Sequence, residues 1–247
     1  VGYQTAYMKA NYPVEFMAAV MTAESGDEDK IYEAVEECKN LGIKILPPDV
    51  NESDADFTVV DEHTIRFGLN AVKNLGSDVI AKIIEARQRH ESTDLHPNDA
   101  NQDKVGSIRV NNGQFFKSLE DFLFRAHVKN FNKKSWEALV KAGALDAFGE
   151  RNQLLAGTEN VLDFVREHFK SEEQGQSSLF GKSLQVGKLT LKKVEPAAKE
   201  EKLAWEKELL GMYVSAHPLD NYTKVLSHLA SIRTLKTSVD GSTVTVG

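Results

Sequence analysis

Lys73-Asn74-Leu75-Gly76-Ser77 places a glycine where the backbone must reverse sharply, directly ahead of a run with helical spacing at Val79, Ile80, Ile83 and Ile84. Such a turn leaves amide N–H groups free at the start of the following helix, and a nest of this kind binds an anion. A phosphate held there by backbone donors would be gripped without regard to base sequence, with Lys73 adding charge. A second turn of similar placing is Lys129-Asn130-Phe131-Asn132, followed by Lys133 and Lys134. It lacks the glycine; asparagine tolerates left-handed geometry, so Asn130 and Asn132 are the candidates for the reversal.

A different chemistry is offered by Gln176-Ser177-Ser178-Leu179-Phe180, which sets one amide and two large apolar side chains in a polar stretch between Gly175 and Gly181. No periodic core claims them. The pattern suits a peptide that docks Leu179 and Phe180 in a partner's groove while the glutamine amide orients it by hydrogen bonds.

Other groups are set aside. Asp54-Ala55-Asp56 has the look of a two-metal carboxylate pair, but it sits among Asp49, Glu52, Asp61 and Glu62 with no basic or glycine-rich context, and reads as a solvated acidic loop. The single cysteine, Cys38, falls on the apolar face of a helix and reads as a small core residue. The 7 histidines have no second cysteine to join them, which leaves no zinc spacing, and His217 before Pro218 reads as a turn residue. No catalytic nucleophile constellation stands out, and no cofactor is expected.

Tyr3, Ala6, Tyr7 and Ala10 predict one helix, and Pro13 opens a second carrying Phe16, Met17, Val20 and Met21 inward. Ile31, Ala34, Val35, Cys38 and Leu41 mark a third, stopped by Gly42. Ile43 to Leu46 is a short apolar run, and Phe57–Val60 with Thr64–Phe67 predict a hairpin across Asp61-Glu62-His63. Two helix, hairpin, helix units follow. The first is Leu69 to Lys73 and then a helix capped by Ser77; the second runs from a capping box at Ser118 and Asp121, through the lysine turn, to a helix with Trp136, Leu139 and Val140 that stops at Gly143. His90 to Gly113 reads as an exposed loop between them. One amphipathic helix is expected over Leu154 to Phe169, then a polar linker, then helices around Leu203, Trp205, Leu209 and Leu210 and after Pro218, and a strand-like tail from Ser238. The fold class expected is mainly α with a small α+β N-terminal part.

The formal net charge is −7, and it is unevenly spread: residues 1–65 hold 4 bases and 14 acids, residues 66–151 hold 14 and 11, and residues 152–247 hold 12 and 12. Only the middle third has the balance for a phosphate-facing surface. No apolar run approaches the roughly 18–20 residues of a membrane span, so no membrane partner is expected. An absent initiator methionine and an unpartnered terminal strand read as the ends of an excised piece.

Taken in order, these motifs resemble the alpha subunit of bacterial DNA polymerase III, the DnaE type, nearly end to end. Tyr3-Gln4-Thr5-Ala6-Tyr7-Met8-Lys9 with Tyr12-Pro13-Val14-Glu15-Phe16-Met17 is similar to the later fingers domain, and Leu46-Pro47-Pro48-Asp49-Val50-Asn51 follows. Phe67 to Lys73 with Leu75-Gly76 resembles the first helix-hairpin-helix, and Asn132 to Gly143 the second. Gln176 to Phe180 resembles the family's motif for the beta sliding clamp, while Trp205 to Gly211 with His217-Pro218-Leu219 resembles the stretch leading to an OB-fold whose first strand would be Thr243 to Gly247. Glu91 to Asn112 departs from the pattern and reads as an insertion.

The resemblance implies residues 1–65 as the end of the fingers, 66–169 as a tandem helix-hairpin-helix domain on duplex DNA, 170–200 as a clamp-binding linker, 201–237 as a helical segment and 238–247 as the start of the OB-fold. It further implies a cytoplasmic DNA-directed DNA polymerase, a nucleotidyltransferase, with primer-template DNA, the clamp and other replicase subunits as partners. The catalytic palm carboxylates and their Mg2+ would lie outside this chain, leaving it inactive alone. A stand-alone helix-hairpin-helix adaptor, and a structural module without nucleic-acid contact, are the competing readings.

Overall fold

The structure is a computed structural model that describes residues 2–88, 115–126, 131–173 and 189–222. It is mainly helical with a small three-stranded sheet, as the spacing of apolar residues predicts. Helix α1 (Gly2–Asn11) breaks at Tyr12, and Pro13 starts α2 (Pro13–Ala23), where a missing N–H costs nothing because first-turn amides have no helical acceptor. Helix α3 (Glu28–Asn40) is capped by the Asp27 carboxylate, which accepts the Lys30 N–H, and it ends at Gly42 with φ +74°. Ile31, Ala34, Val35 and Cys38 form its buried stripe, and burial pushes the Cys38 thiol up to about 11.

Strands β2 (Thr58–Asp61) and β3 (Thr64–Arg66) form the expected hairpin, with a register shift between Val59 and Asp61. Strand β1 (Lys44–Leu46) joins the other edge of β3 in parallel, so the order is β1-β3-β2. That parallel pairing depends on chain return over the whole hairpin and has no local signal. The loop Pro47–Asp56 then acts as a strut. The buried Arg87 guanidinium donates to the carbonyls of Asn51 (2.9 Å) and Ser53 (2.7 Å), and the Asn51 side chain accepts the Phe116 N–H at 2.7 Å. Burial pulls the Arg87 pKa down, against the carboxylates of Asp54 and Asp49.

Beyond the strut come α4 (Ser77–Gln88), α5 (Leu119–Ala126), α6 (Lys133–Lys141), α7 (Arg151–Ala156), α8 (Thr158–Glu173) and α9 (Lys199–Leu210). Ser118 Oγ accepts the Asp121 N–H at 3.2 Å, as a capping box requires, but the Asp121 carboxylate reaches back to the Lys117 N–H rather than to that of Ser118. The single helix expected over Leu154–Phe169 is broken at Gly157, where a Cβ would run into Leu191. Leu191 belongs to the stretch expected as a polar linker. Residues 189–198 instead lie along α7 and α8: Asn160 donates to the Thr190 carbonyl, Asn152 to the Glu195 carbonyl, and Glu150 accepts the Ala197 N–H at 3.0 Å. Polarity hid this because the segment is held by hydrogen bonds, with Leu189 and Leu191 its apolar anchors.

Two apolar clusters result. One joins α4 to α8 around Trp136, Phe122, Leu139, Leu145 and Leu154; the other joins α2, α3 and the sheet to the end of α9 around Met17, Met21, Ile65 and Phe67. Helix α6 serves both, with Trp136, Leu139 and Val140 in the first and Ala138 and Ala142 in the second. After α9, Gly211 takes φ +77°, and a 3-10 turn over Pro218–Tyr222 follows His217.

Candidate nucleic-acid interface

The first turn is built from both sides. Gly68 passes so close to the strut that a Cβ would meet the Asp56 backbone, and the N–H groups of Leu69 and Asn70 bond to the carbonyls of Asp54 and Ala55 at 3.0 and 2.8 Å. The expected helix Leu69–Lys73 shortens to a 3-10 turn over Leu69–Ala71. The reversal expected at Gly76 falls instead on Asn74, which adopts φ +66°, the left-handed conformation that asparagine tolerates. Leu75 tucks inward against both clusters.

Gly76 faces open space, with no atom within 4 Å of where a Cβ would stand. Its carbonyl accepts the N–H groups of Val79 (3.0 Å) and Ile80 (3.2 Å), so Gly76 is the capping residue and Ser77 the first helical one. This corrects the expected Ser77 cap: a glycine carbonyl begins the helix beside a backbone left unobstructed at Gly76, and the amides of Ser77 and Asp78, ahead of the two it accepts, have no acceptor within the helix. The Lys73 N–H is bonded to the Leu209 carbonyl at 3.0 Å, and its ammonium pairs with Glu28 at 2.7 Å. Both partners of that pair are exposed, so a competing phosphate could displace the carboxylate at little cost.

At the second unit, Lys129 and Asn130 lie outside the described residues. Asn132, expected as a candidate for the left-handed reversal, is instead extended at φ −110° because it caps α6, its side chain accepting the Ser135 N–H at 2.9 Å. Lys133 and Lys134 are exposed on the first turn of that helix, and Lys133 stands 3.8 Å from Glu137. One feature of this unit was legible in the sequence only as a helix stop. Gly143, at φ +84°, follows α6 as Asn74 follows the 3-10 turn, and the chain reverses through Ala144 and Leu145 towards α7. Asn74 and Gly143 each come just after a helical piece and just before an apolar residue that packs inward, as Gly42 and Gly211 also do. The signal was present in Ala142-Gly143-Ala144-Leu145 behind the Trp136, Leu139, Val140 stripe.

The back of this second turn carries charge. Arg151 is buried and donates to Asp146 through Nε (2.9 Å) and Nη2 (2.8 Å), to the Lys141 carbonyl (3.1 Å), and to the fully buried Glu206 at 3.4 Å. Burial works to lower the Arg151 pKa, but the Asp146 and Glu206 carboxylates outweigh it and raise it. The acidic pair read as a solvated loop is engaged as well: Asp54 accepts from Arg87 at 3.3 Å and Asp56 from Asn70 at 3.1 Å. Among the described residues, no group of three His, Cys, Asp or Glu could hold a metal ion. Nor is any described helix long and apolar enough to cross a membrane.

This geometry agrees with the comparisons. The helix-hairpin-helix motif family matches residues 42–97 and 98–154, one match around each left-handed turn. The chain is 44% identical over 222 residues to the DNA polymerase III subunit alpha of Thermus aquaticus, 90% of this chain and 16% of that protein. The chain resembles a segment of DNA polymerase III subunit alpha. The corresponding protein of Deinococcus radiodurans is 39% identical over 90% of this chain and 15% of its own length, and that of Vibrio cholerae 35% identical over 94% and 18%. The chain thus spans less than a fifth of the length of each of these polymerase III alpha subunits. Gln176, Ser177, Ser178, Leu179 and Phe180, the residues of the expected docking peptide, lie outside the described residues, as do Glu91 to Asn112 and the tail from Ser238.

Proposed function

We propose that this chain is the duplex-holding and clamp-tethering part of a DNA-directed DNA polymerase, an alpha subunit of the polymerase III type acting in the cytoplasm with other replicase subunits. The observation that carries the reading is the pair of left-handed turns at Asn74 and Gly143, each inside a helix-hairpin-helix match. Backbone amides at the first turn, with Lys73 displaced from Glu28, take one phosphate run; the second unit, with Lys129, Lys133 and Lys134, takes another. The grip follows the sugar-phosphate backbone and slides, since no base edge is read. Gln176, Leu179 and Phe180 hold the beta sliding clamp, which turns each rebinding of DNA into an intramolecular event. The nucleotidyl-transfer carboxylates and their Mg2+ belong to another part of the longer protein, so this chain alone does not polymerise.

Two measurements test it. Binding of the chain to a primer-template duplex should weaken with salt at a log-log slope of about −0.9 for each phosphate neutralised; a flat dependence would remove the DNA grip. Affinity for isolated clamp should fall at least tenfold, roughly the loss of two apolar anchors, when Leu179→Ala and Phe180→Ala are combined. Unchanged clamp affinity would sink the tether.

A further inference from the structure

Glu206 occupies the apolar stripe of α9, between Leu203 and Leu209, and is fully buried. A carboxylate there is costly unless every lone pair is used. It is used on both sides. Oε1 receives Arg151 Nη1 at 3.4 Å and Nη2 at 3.5 Å, and Oε2 accepts the N–H groups of Val214 and Ser215 at 3.0 Å each. Arg151 carries the contact onward to the second turn: it bonds the Lys141 carbonyl and both Asp146 oxygens, and its guanidinium fills the space a Cβ on Gly143 would need.

One turn further along α9, the Leu209 carbonyl accepts the Lys73 N–H of the first turn at 3.0 Å. A single helical turn therefore holds the backbone of one reversal and, through a guanidinium, the other. Apolar packing alone would hold α9 in place without fixing these distances, whereas charged hydrogen bonds have narrow length and angle requirements.

Building on the duplex-grip reading, we propose that Glu206, acting through Arg151, is a positioning residue that sets the spacing between the Asn74 and Gly143 turns, so that both meet one duplex at the same time. With the spacing set beforehand, phosphates at the second turn bind as an intramolecular step once the first has engaged.

The test uses the full chain with spin labels at Asp78→Cys and Ala147→Cys, both exposed and one beside each turn, while Cys38 is buried and remains unlabelled. In Glu206→Gln, the distance distribution between the labels should broaden. Duplex affinity should fall on the order of tenfold or more, and the salt slope should become shallower by about 0.9 for each phosphate the second turn releases. A purely structural role would lower melting temperature but leave the label distance and the salt slope of the folded protein as they are, and that result overturns the inference. If Glu206→Gln does not fold, Asp146→Ala loosens the same guanidinium from the turn at a half-exposed carboxylate, and the same two readouts decide. A flat salt dependence in the parent chain would overturn the duplex reading and the functional half of the inference together. A steep parent slope that Glu206→Gln leaves unchanged overturns the inference alone.

Discussion

Asn74 shows how one side chain was chosen by backbone conformation. At φ +66° a β-branched residue suffers a clash that asparagine largely escapes and glycine lacks. Asn74→Gly should therefore leave stability within about 0.5 kcal/mol of the parent, whereas Asn74→Val should cost about 1–2 kcal/mol, read as a shift in urea midpoint at constant slope. Equal midpoints for the two variants would contradict the left-handed assignment. The charged residues of greatest structural consequence, Arg87 and Glu206, carried no such mark. Each stands in a helix where its type predicts a solvated face, and Trp205, the neighbour expected inward, is only half-buried while Glu206 is not exposed at all. The carbonyls that hold Arg87 lie 34 to 36 residues away in sequence and the guanidinium that holds Glu206 lies 55 away, beyond the reach of any local pattern.

Among the elements, α7 is short and depends on its cap. The Glu150 carboxylate accepts the Asn152 N–H at 2.7 Å and the Ala197 N–H at 3.0 Å, and meets Lys202 at 3.0 Å, so it fastens both the helix and the extended segment 189–198. Burial pushes its pKa up, but these donors and the Lys202 charge outweigh it and hold the carboxyl below the ordinary glutamate value of 4.5. A lowered folded pKa means stability that is present above that ordinary value and is lost as pH falls through the folded one. Glu150→Gln should thus be less stable than the parent by about 1 kcal/mol at pH 7, with the difference closing towards pH 3 in denaturant titrations; a gap independent of pH would refute this. For α6, removal of the Asn132 cap in Asn132→Ala should cost about 1 kcal/mol and reduce helicity by circular dichroism. Helix α6 is legible from apolar spacing and its stop at Gly143, whereas α7 is legible only as the start of the one helix expected over Leu154–Phe169. The break at Gly157 has no such signal: the Thr158 hydroxyl donates to the Leu155 carbonyl at 2.6 Å there, and Leu191, from a segment without periodicity, occupies the space beside the glycine.

At the scale of the whole molecule, α6 shares its faces between the two apolar clusters, so neither cluster can loosen without exposing the other. Leu139→Ala should cost about 2–5 kcal/mol and move a single transition, seen at the same denaturant concentration by far-UV circular dichroism and by tryptophan fluorescence; two separated steps would show that the clusters unfold independently. The run of helices, the stops at Gly42 and Gly143, the β2–β3 hairpin and the likeness to polymerase III alpha subunits all follow from residues close together in the chain, because apolar spacing and helix-stop preference are local properties; the first reversal was marked too, but at Gly76, two residues after the Asn74 that makes it. The tertiary structure alone decided the rest. It paired β1 with β3, laid residues 189–198 on α7 and α8, and buried Glu206 against Arg151 behind the turn at Gly143. Those outcomes depend on which distant groups satisfy each other's hydrogen bonds and fill each other's space. The candidate phosphate turns were thus marked by the sequence, the first by its own asparagine and glycine and the second as a helix stop at Gly143, while the support behind the second, Arg151 held by Glu206 of α9, was set by contacts 55 residues apart.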